Sequence, residues 1–168
     1  ASHGARIVDF IPKVAPLLDL QEEVEKLQKI EAVTTTNLVE IPGAKQFLNQ
    51  LDEGKVTWAI ATSGVKSIAE LRLIHCGLPV PEVFITSELV DKGKPAPDPF
   101  ILAASSLALD PKHCLVFEDS DAGILSAITA GCDVIVIGES STIRSSHIVA
   151  RVNDYHELIS CMQLLEVL

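Results

Sequence analysis

Glu118 and Asp119 stand side by side at the end of the apolar run Leu115, Val116, Phe117. Such a run is a buried strand or a helix segment, so both carboxylates emerge where it leaves the core. Adjacent carboxylates repel, and more strongly at the mouth of a buried element than in water. Either one stays protonated or a cation lies between them. A hard divalent ion with oxygen ligands suits the second case. Asp119 or Ser120 serving as N-cap of a following helix accounts for the same residues.

Two further places carry chemistry. Thr62 and Ser63 follow the apolar run Val56 to Ala61 and precede a helical pattern. A hydroxyl and free backbone N–H groups at such a junction bind an anion, phosphate most readily, or simply cap the helix. Lys94 lies in the string KGKPAPD. Pro95 holds it extended and Gly93 lets the backbone turn sharply, so its ammonium is either aimed at a phosphate or solvated like most surface lysines.

The elements that must position these groups alternate as in an α/β sheet from Ile41 onward. Strands are expected at Val56 to Ala61, Glu82 to Thr86, His113 to Phe117, Asp133 to Ile137 and, at an edge, Ile148 to Val152. Helices are expected from Pro42 to Leu51, closed by Gly54, and at Val65 to Cys76, Phe100 to Leu109, Asp121 to Ala130 and from Asp154 through Leu165. Ser140 to Ser146 is too polar to place. Runs without alternation, such as Val56 to Ala61 and Cys114 to Phe117, belong in the middle of a parallel sheet, whose ligands bind outside the strands' carboxyl ends. Before Ile41 the pattern is an amphipathic helical hairpin. Ile7, Phe10, Ile11 and Val14 form one stripe, bent at Pro12 and ended by Pro16. Leu20, Val24, Leu27 and Glu31, beside Ile30, form the second, opened by a capping box of Asp19 and Glu22. Thr34 to Asn37 reads as a linker.

Composition narrows the partners. With 168 residues the chain builds one core of ordinary size, and a net charge of −10 without a basic cluster excludes nucleic acid and anionic membrane. No stretch is long and apolar enough to span a bilayer. Cys76, Cys114, Cys132 and Cys161 are irregularly spaced among apolar neighbours, without zinc spacing. Reduced, buried thiols in a cytoplasmic protein are expected. The one Met is Met162, so Ala1 is expected to be a processed start or a cut.

The strings ATSG, KGKPAPDPF and VFEDSDAG resemble motifs two, three and four of the haloacid dehalogenase superfamily, in its Mg2+-dependent phosphatase branch. SHGAR, IPGAKQFL, WAIATSG, PEVFIT and the stretch to Gly138 extend the likeness to the small sugar-phosphate phosphatases, hexose-phosphate and 2-deoxyglucose-6-phosphate phosphatases among them. The resemblance implies that Thr62 hydrogen-bonds the transferring phosphoryl group beside the Ser63 N–H, and that Lys94 neutralises phosphate and nucleophile. It implies that Asp119 binds Mg2+ with Glu118 as a direct or water-mediated partner, and that His3, Gly4 and Arg6 belong to the cap loop meeting the substrate's non-reacting end. It also implies a HAD-like Rossmannoid core over 37–168 and a partial helical cap over 1–36.

The family's first motif, a strand ending in DxDGT, is absent from the chain. It supplies the aspartate nucleophile, a second aspartate for acid–base work and the remaining metal ligands, and its strand lies between those of motifs two and four. The expectation is therefore a chain that lacks its first, central strand and leaves two unpaired edges facing a gap, inviting aggregation or pairing with another chain. The implied function is a Mg2+-dependent phosphatase of small phosphorylated sugars or polyols acting through an aspartyl-phosphate, inactive in this form. The chain is expected to be a monomer that can self-associate through those edges. Two alternatives share the motifs: a non-catalytic phosphate- or metal-binding module, and a β-phosphoglucomutase-like phosphomutase.

Overall fold

The computed structural model describes residues 3–34 and 38–164. Its elements run α1 (Ile7–Val14), α2 (Leu20–Val33), α3 (Ala44–Glu53), β1 (Ala59–Ala61), α4 (Lys66–His75), β2 (Val83–Ile85), α5 (Asp98–Ser106), β3 (Leu115–Glu118), α6 (Asp121–Ala130), β4 (Asp133–Ile137), β5 (Ile148–Val152) and α7 (Tyr155–Leu164). Single 3-10 turns at Ser87–Leu89 and Pro111–His113 lead into the segments before α5 and β3.

The class is α/β with parallel pairing throughout, and the strands form two sheets. β1 pairs with β2, while β3, β4 and β5 lie side by side in that order. β1 and β3 do not pair. The core sits on the larger sheet because side chains alternate across it. Val134 and Val136 pack with Phe100, Ile124 and Ala127 of α5 and α6. Ile135 and Ile137 pack with Phe47, Leu158 and Ile159 of α3 and α7. α5 also touches β1 and β2, so one helix underpins both sheets.

Several boundaries differ from expectation for local reasons. β1 covers only Ala59–Ala61, because its one partner, β2, is itself three residues long, and the Trp58 indole turns aside to donate to Asp52 Oδ1 at 2.7 Å. β1 and β3 are edge strands of their sheets and only partly covered, not central ones. α3 starts at Ala44 rather than Pro42, since Gly43 lies in the left-handed region and the Glu40 carboxylate reaches over to accept from the Lys45 N–H. α5 starts at Asp98, with Pro99 in its first turn, where a missing N–H costs nothing. β3 starts two residues later than expected and runs on to include Glu118. The thiols are free, but only Cys132 is buried, where desolvation pushes it up to about 11, and Cys161 faces outward on α7. Thr35 to Asn37 of the expected linker and Leu165 of the last helix lie outside the described residues.

In the N-terminal hairpin, α1 continues through Pro12, and Asp19 accepts from the Glu22 N–H at 2.9 Å. The other half of the capping box is replaced: the Glu22 carboxylate pairs with Lys26, whose pKa is raised by Glu23 and Glu22. α1 packs on α2 and α2 reaches α4, yet no residue of α2 is buried. Among the described residues no helix is long and apolar enough to cross a membrane.

Stability should therefore reside in the larger sheet and its helices. Ile124 is fully buried between β3, β4 and α5, so Ile124→Ala should lower the urea unfolding free energy by about 2–5 kcal/mol. Leu17 is 98% exposed, and Leu17→Ala should change it by no more than about 0.5 kcal/mol.

Candidate active site

A cleft of about 540 Å³ opens between the carboxyl ends of β1 and β3. Thr62, Ser63, Lys94, Glu118 and Asp119 all line it, and His3, Gly4 and Arg6 line it from the N-terminal loop. The structure thus brings every sequence-derived candidate to one place.

The helix-capping alternatives resolve differently at each junction. At α6 the cap is Ser120, whose Oγ accepts from the Gly123 N–H at 3.1 Å, which leaves the Asp119 carboxylate free of that duty. At α4 the first residue before the helix is Val65, and the Lys66 N–H is satisfied at 2.7 Å by Glu88 from the turn after β2. Neither Thr62 nor Ser63 caps α4. Thr62 Oγ1 accepts from the Gly64 N–H at 3.1 Å, and Ser63 Oγ donates to the Gly4 carbonyl at 2.7 Å, tying the loop before α1 to the smaller sheet.

Lys94 is buried, with a side chain 7% exposed, and forms an ion pair with Glu118 Oε1. Its Nζ also lies 4.8 Å from the centre of the Phe100 ring. Glu118 is equally enclosed. Its other oxygen accepts from the Asp119 N–H at 3.1 Å, the Ser120 N–H at 3.3 Å and the Ser120 hydroxyl at 3.0 Å. These donors form the positive end of α6, a natural seat for a carboxylate. Gly123 makes the seat possible: a Cβ there would lie 2.0 Å from the Glu118 carboxyl carbon. The spacing of a glycine five residues after the acid was the available signal.

Asp119 remains half exposed, with Oδ2 3.1 Å from His3 Nε2. This contact and the Ser63–Gly4 bond attach the loop before α1 to both sheets. Arg6 is placed otherwise than the cap-loop reading implies. Nε and Nη2 donate to the two Asp9 oxygens at 2.7 and 3.0 Å. Nη1 donates to the Ser87 and Val90 carbonyls at 3.3 and 2.8 Å, and Nη2 also to the Asp91 carbonyl at 2.8 Å. These bonds use all five of its N–H groups, leaving none for a ligand.

A divalent cation takes six or more oxygens. Among the described residues no three His, Cys, Asp or Glu side chains cluster to hold one. Asp119 offers a hard oxygen donor to the cleft, whereas both Glu118 oxygens are already engaged. The residues present thus supply one carboxylate, Asp119, that is engaged only by His3, part of a donor set only.

Residues 6–131 match the family described as haloacid dehalogenase-like hydrolase. The chain belongs to that family. It is 44% identical over 119 residues to hexitol phosphatase A of Escherichia coli, which covers 71% of this chain and 55% of that protein. It is 38% identical over 145 residues to glycerol-1-phosphate phosphohydrolase 2 of Saccharomyces cerevisiae, covering 81% and 58%. The chain therefore spans little more than half the length of these two curated relatives. A hydrolase from Pseudomonas syringae superimposes over 98% of this chain and 80% of its own with a TM-score of 0.79, and its 23% identity speaks for the fold alone.

Tyr155, which sequence reasoning missed, lines the floor of the cleft and packs against Phe47 and Phe117, with ring centres 5.3 and 6.1 Å away. Burial, then the charges of Glu118 and Asp119, push its phenol up to about 12 from an ordinary value near 10. A folded-state pKa above the unfolded one gives stability that is whole below about pH 10 and lost as pH rises toward about 12. Unfolding free energy should fall over that window by about 2 kcal/mol more in the wild type than in Tyr155→Phe, measured by urea titration at several pH values.

Proposed function

We propose that this chain carries the phosphate-binding half of a phosphoric monoester hydrolase acting on small phosphorylated sugars or polyols. One observation carries the reading: a buried, oriented ammonium, Lys94, shares a single cleft with the Thr62 hydroxyl and the backbone at Ser63, beside an acidic pair. The cleft's volume suits a small polar ligand. Membership of the hydrolase family and the phosphatase names of the two relatives support the same substrate class.

In this reading the Thr62 hydroxyl and Ser63 N–H hold the transferring phosphoryl group, and Lys94 offsets charge on its oxygens. His3 and Gly4 meet the alcohol portion from the cap. Asp119 is one ligand of a Mg2+ ion whose remaining ligands come from outside the set described above. The nucleophile is an aspartate that attacks phosphorus and expels the alcohol, after which water opens the acyl-phosphate to release orthophosphate. No DxDGT string occurs in these 168 residues. Its strand would occupy the gap between β1 and β3, where each sheet offers an unpaired edge. Binding without turnover is therefore the expected behaviour of the chain alone.

Calorimetry in millimolar Mg2+ should detect binding of glycerol 1-phosphate or a hexitol phosphate, weakened at least tenfold by Lys94→Ala and by removing Mg2+ with EDTA. Phosphate release, followed by 31P NMR, should not exceed that of Lys94→Ala. Turnover clearly above that variant, or no binding at all, would overturn the reading. A peptide with an apolar run ending in DxDGT should restore release, whereas a purely binding module would stay silent with it.

A further inference from the structure

We infer that Arg6 is a positioning residue that sets the catalytic loop: it fixes the segment from Ser87 to Gly93 and thereby aims Lys94. The inference rests on the phosphate-site reading above only in calling Lys94 functional. Arg6 stands at the start of α1, in the cap, and its side chain is 10% exposed. Asp9 grips one face of the guanidinium in a two-point pair, which orients the fork. The remaining N–H groups hold three carbonyls, those of Ser87, Val90 and Asp91, that no other described hydrogen bond orders.

The chain then passes directly beneath Arg6 at Gly93. A Cβ there would lie 2.5 to 2.6 Å from the Arg6 Nε, Cδ and Cγ atoms, so only glycine lets the loop lie against the side chain. Gly93 does not adopt a left-handed backbone, so the reason for a glycine is this approach and not the sharp turn that the sequence suggests. The next residue is Lys94. Ordering loop residues that lack fixed partners costs conformational entropy, and Arg6 provides that order before a ligand arrives. A lysine at position 6 would keep the charge but lose the planar fork that reaches three carbonyls and a carboxylate together.

The Lys94 ammonium reports the effect directly. In wild-type protein its 15N–1H correlation should be visible at neutral pH, because an enclosed, ion-paired ammonium exchanges slowly. Arg6→Ala, Arg6→Lys and Gly93→Ala should each erase or shift it, while Arg6→Lys would preserve it if charge alone mattered. Arg151 clasps the Ser141 and Ile143 carbonyls far from Lys94 in sequence, so Arg151→Ala controls for simple destabilisation and should leave the signal in place. Affinity for inorganic phosphate with Mg2+ should fall at least tenfold in the Arg6 and Gly93 variants. Inorganic phosphate has no alcohol portion, so an Arg6 that met the substrate's far end would leave that affinity unchanged. An unaltered Lys94 signal in Arg6→Ala, or in Gly93→Ala should the first fail to fold, overturns the inference. A signal that depends on Arg6 in a protein that binds no phosphate upholds it and overturns the functional reading instead.

Discussion

The buried pair Lys94–Glu118 is the interaction on which the remaining geometry depends. Lys94 hangs from the loop after β2 and Glu118 ends β3, so the pair joins the smaller sheet to the larger one across a cleft that no strand of the described residues fills. Enclosed charges are tolerable only when each finds a partner and its other valences are satisfied. Glu118 meets both conditions, since the start of α6 supplies three donors to its second oxygen, while the ammonium has Glu118 as partner and the Phe100 ring beside it. Losing either partner would leave a buried charge uncompensated, a penalty of about 3–5 kcal/mol.

That pair has help in holding two half-sheets at a fixed spacing. α5 lies under both, and the loop from His3 to Arg6 lies across the top, touching Ser63 on one side and Asp119 on the other. β1 and β3 are thereby kept from pairing with each other, although direct pairing would satisfy their edges. The arrangement sets Thr62 and Glu118 apart on opposite banks of the cleft. Its cost is a pair of open strand edges, the feature most sheets avoid.

The larger sheet was legible in the sequence because its signals are local. β4 and β5 begin and end where expected, being bounded by Gly131, Asp133 and the polar run that follows Gly138, and α6 is announced by Ser120. β1 was overextended because an apolar run reports burial, while strand length is set by a partner far along the chain. Glu88 accepting at the start of α4 and Arg6 gripping carbonyls more than 80 residues away left no trace in spacing, since a main-chain donor or acceptor has no residue type. The candidate site was visible because its residues fall at strand ends. The division of labour within it was not, because it turns on which oxygen of Glu118 faces which donor.

That division changes what the acidic pair can do. Glu118 neutralises Lys94 and spends its second oxygen on α6, so the two adjacent acids are unequal. Lys94 and Glu118 together sum to zero, and Asp119 adds one negative charge at the mouth. A phosphate dianion approaching the cleft meets a local balance of the wrong sign, within a chain whose net charge is already −10. The Thr62 hydroxyl and the N–H groups near Ser63 can orient such an anion but cannot reverse that balance. In the proposed reading, anion and cation binding must then favour each other, each raising the other's affinity by the same factor. In that reading the coupling runs through Asp119, which is free of the helix and lines the cleft.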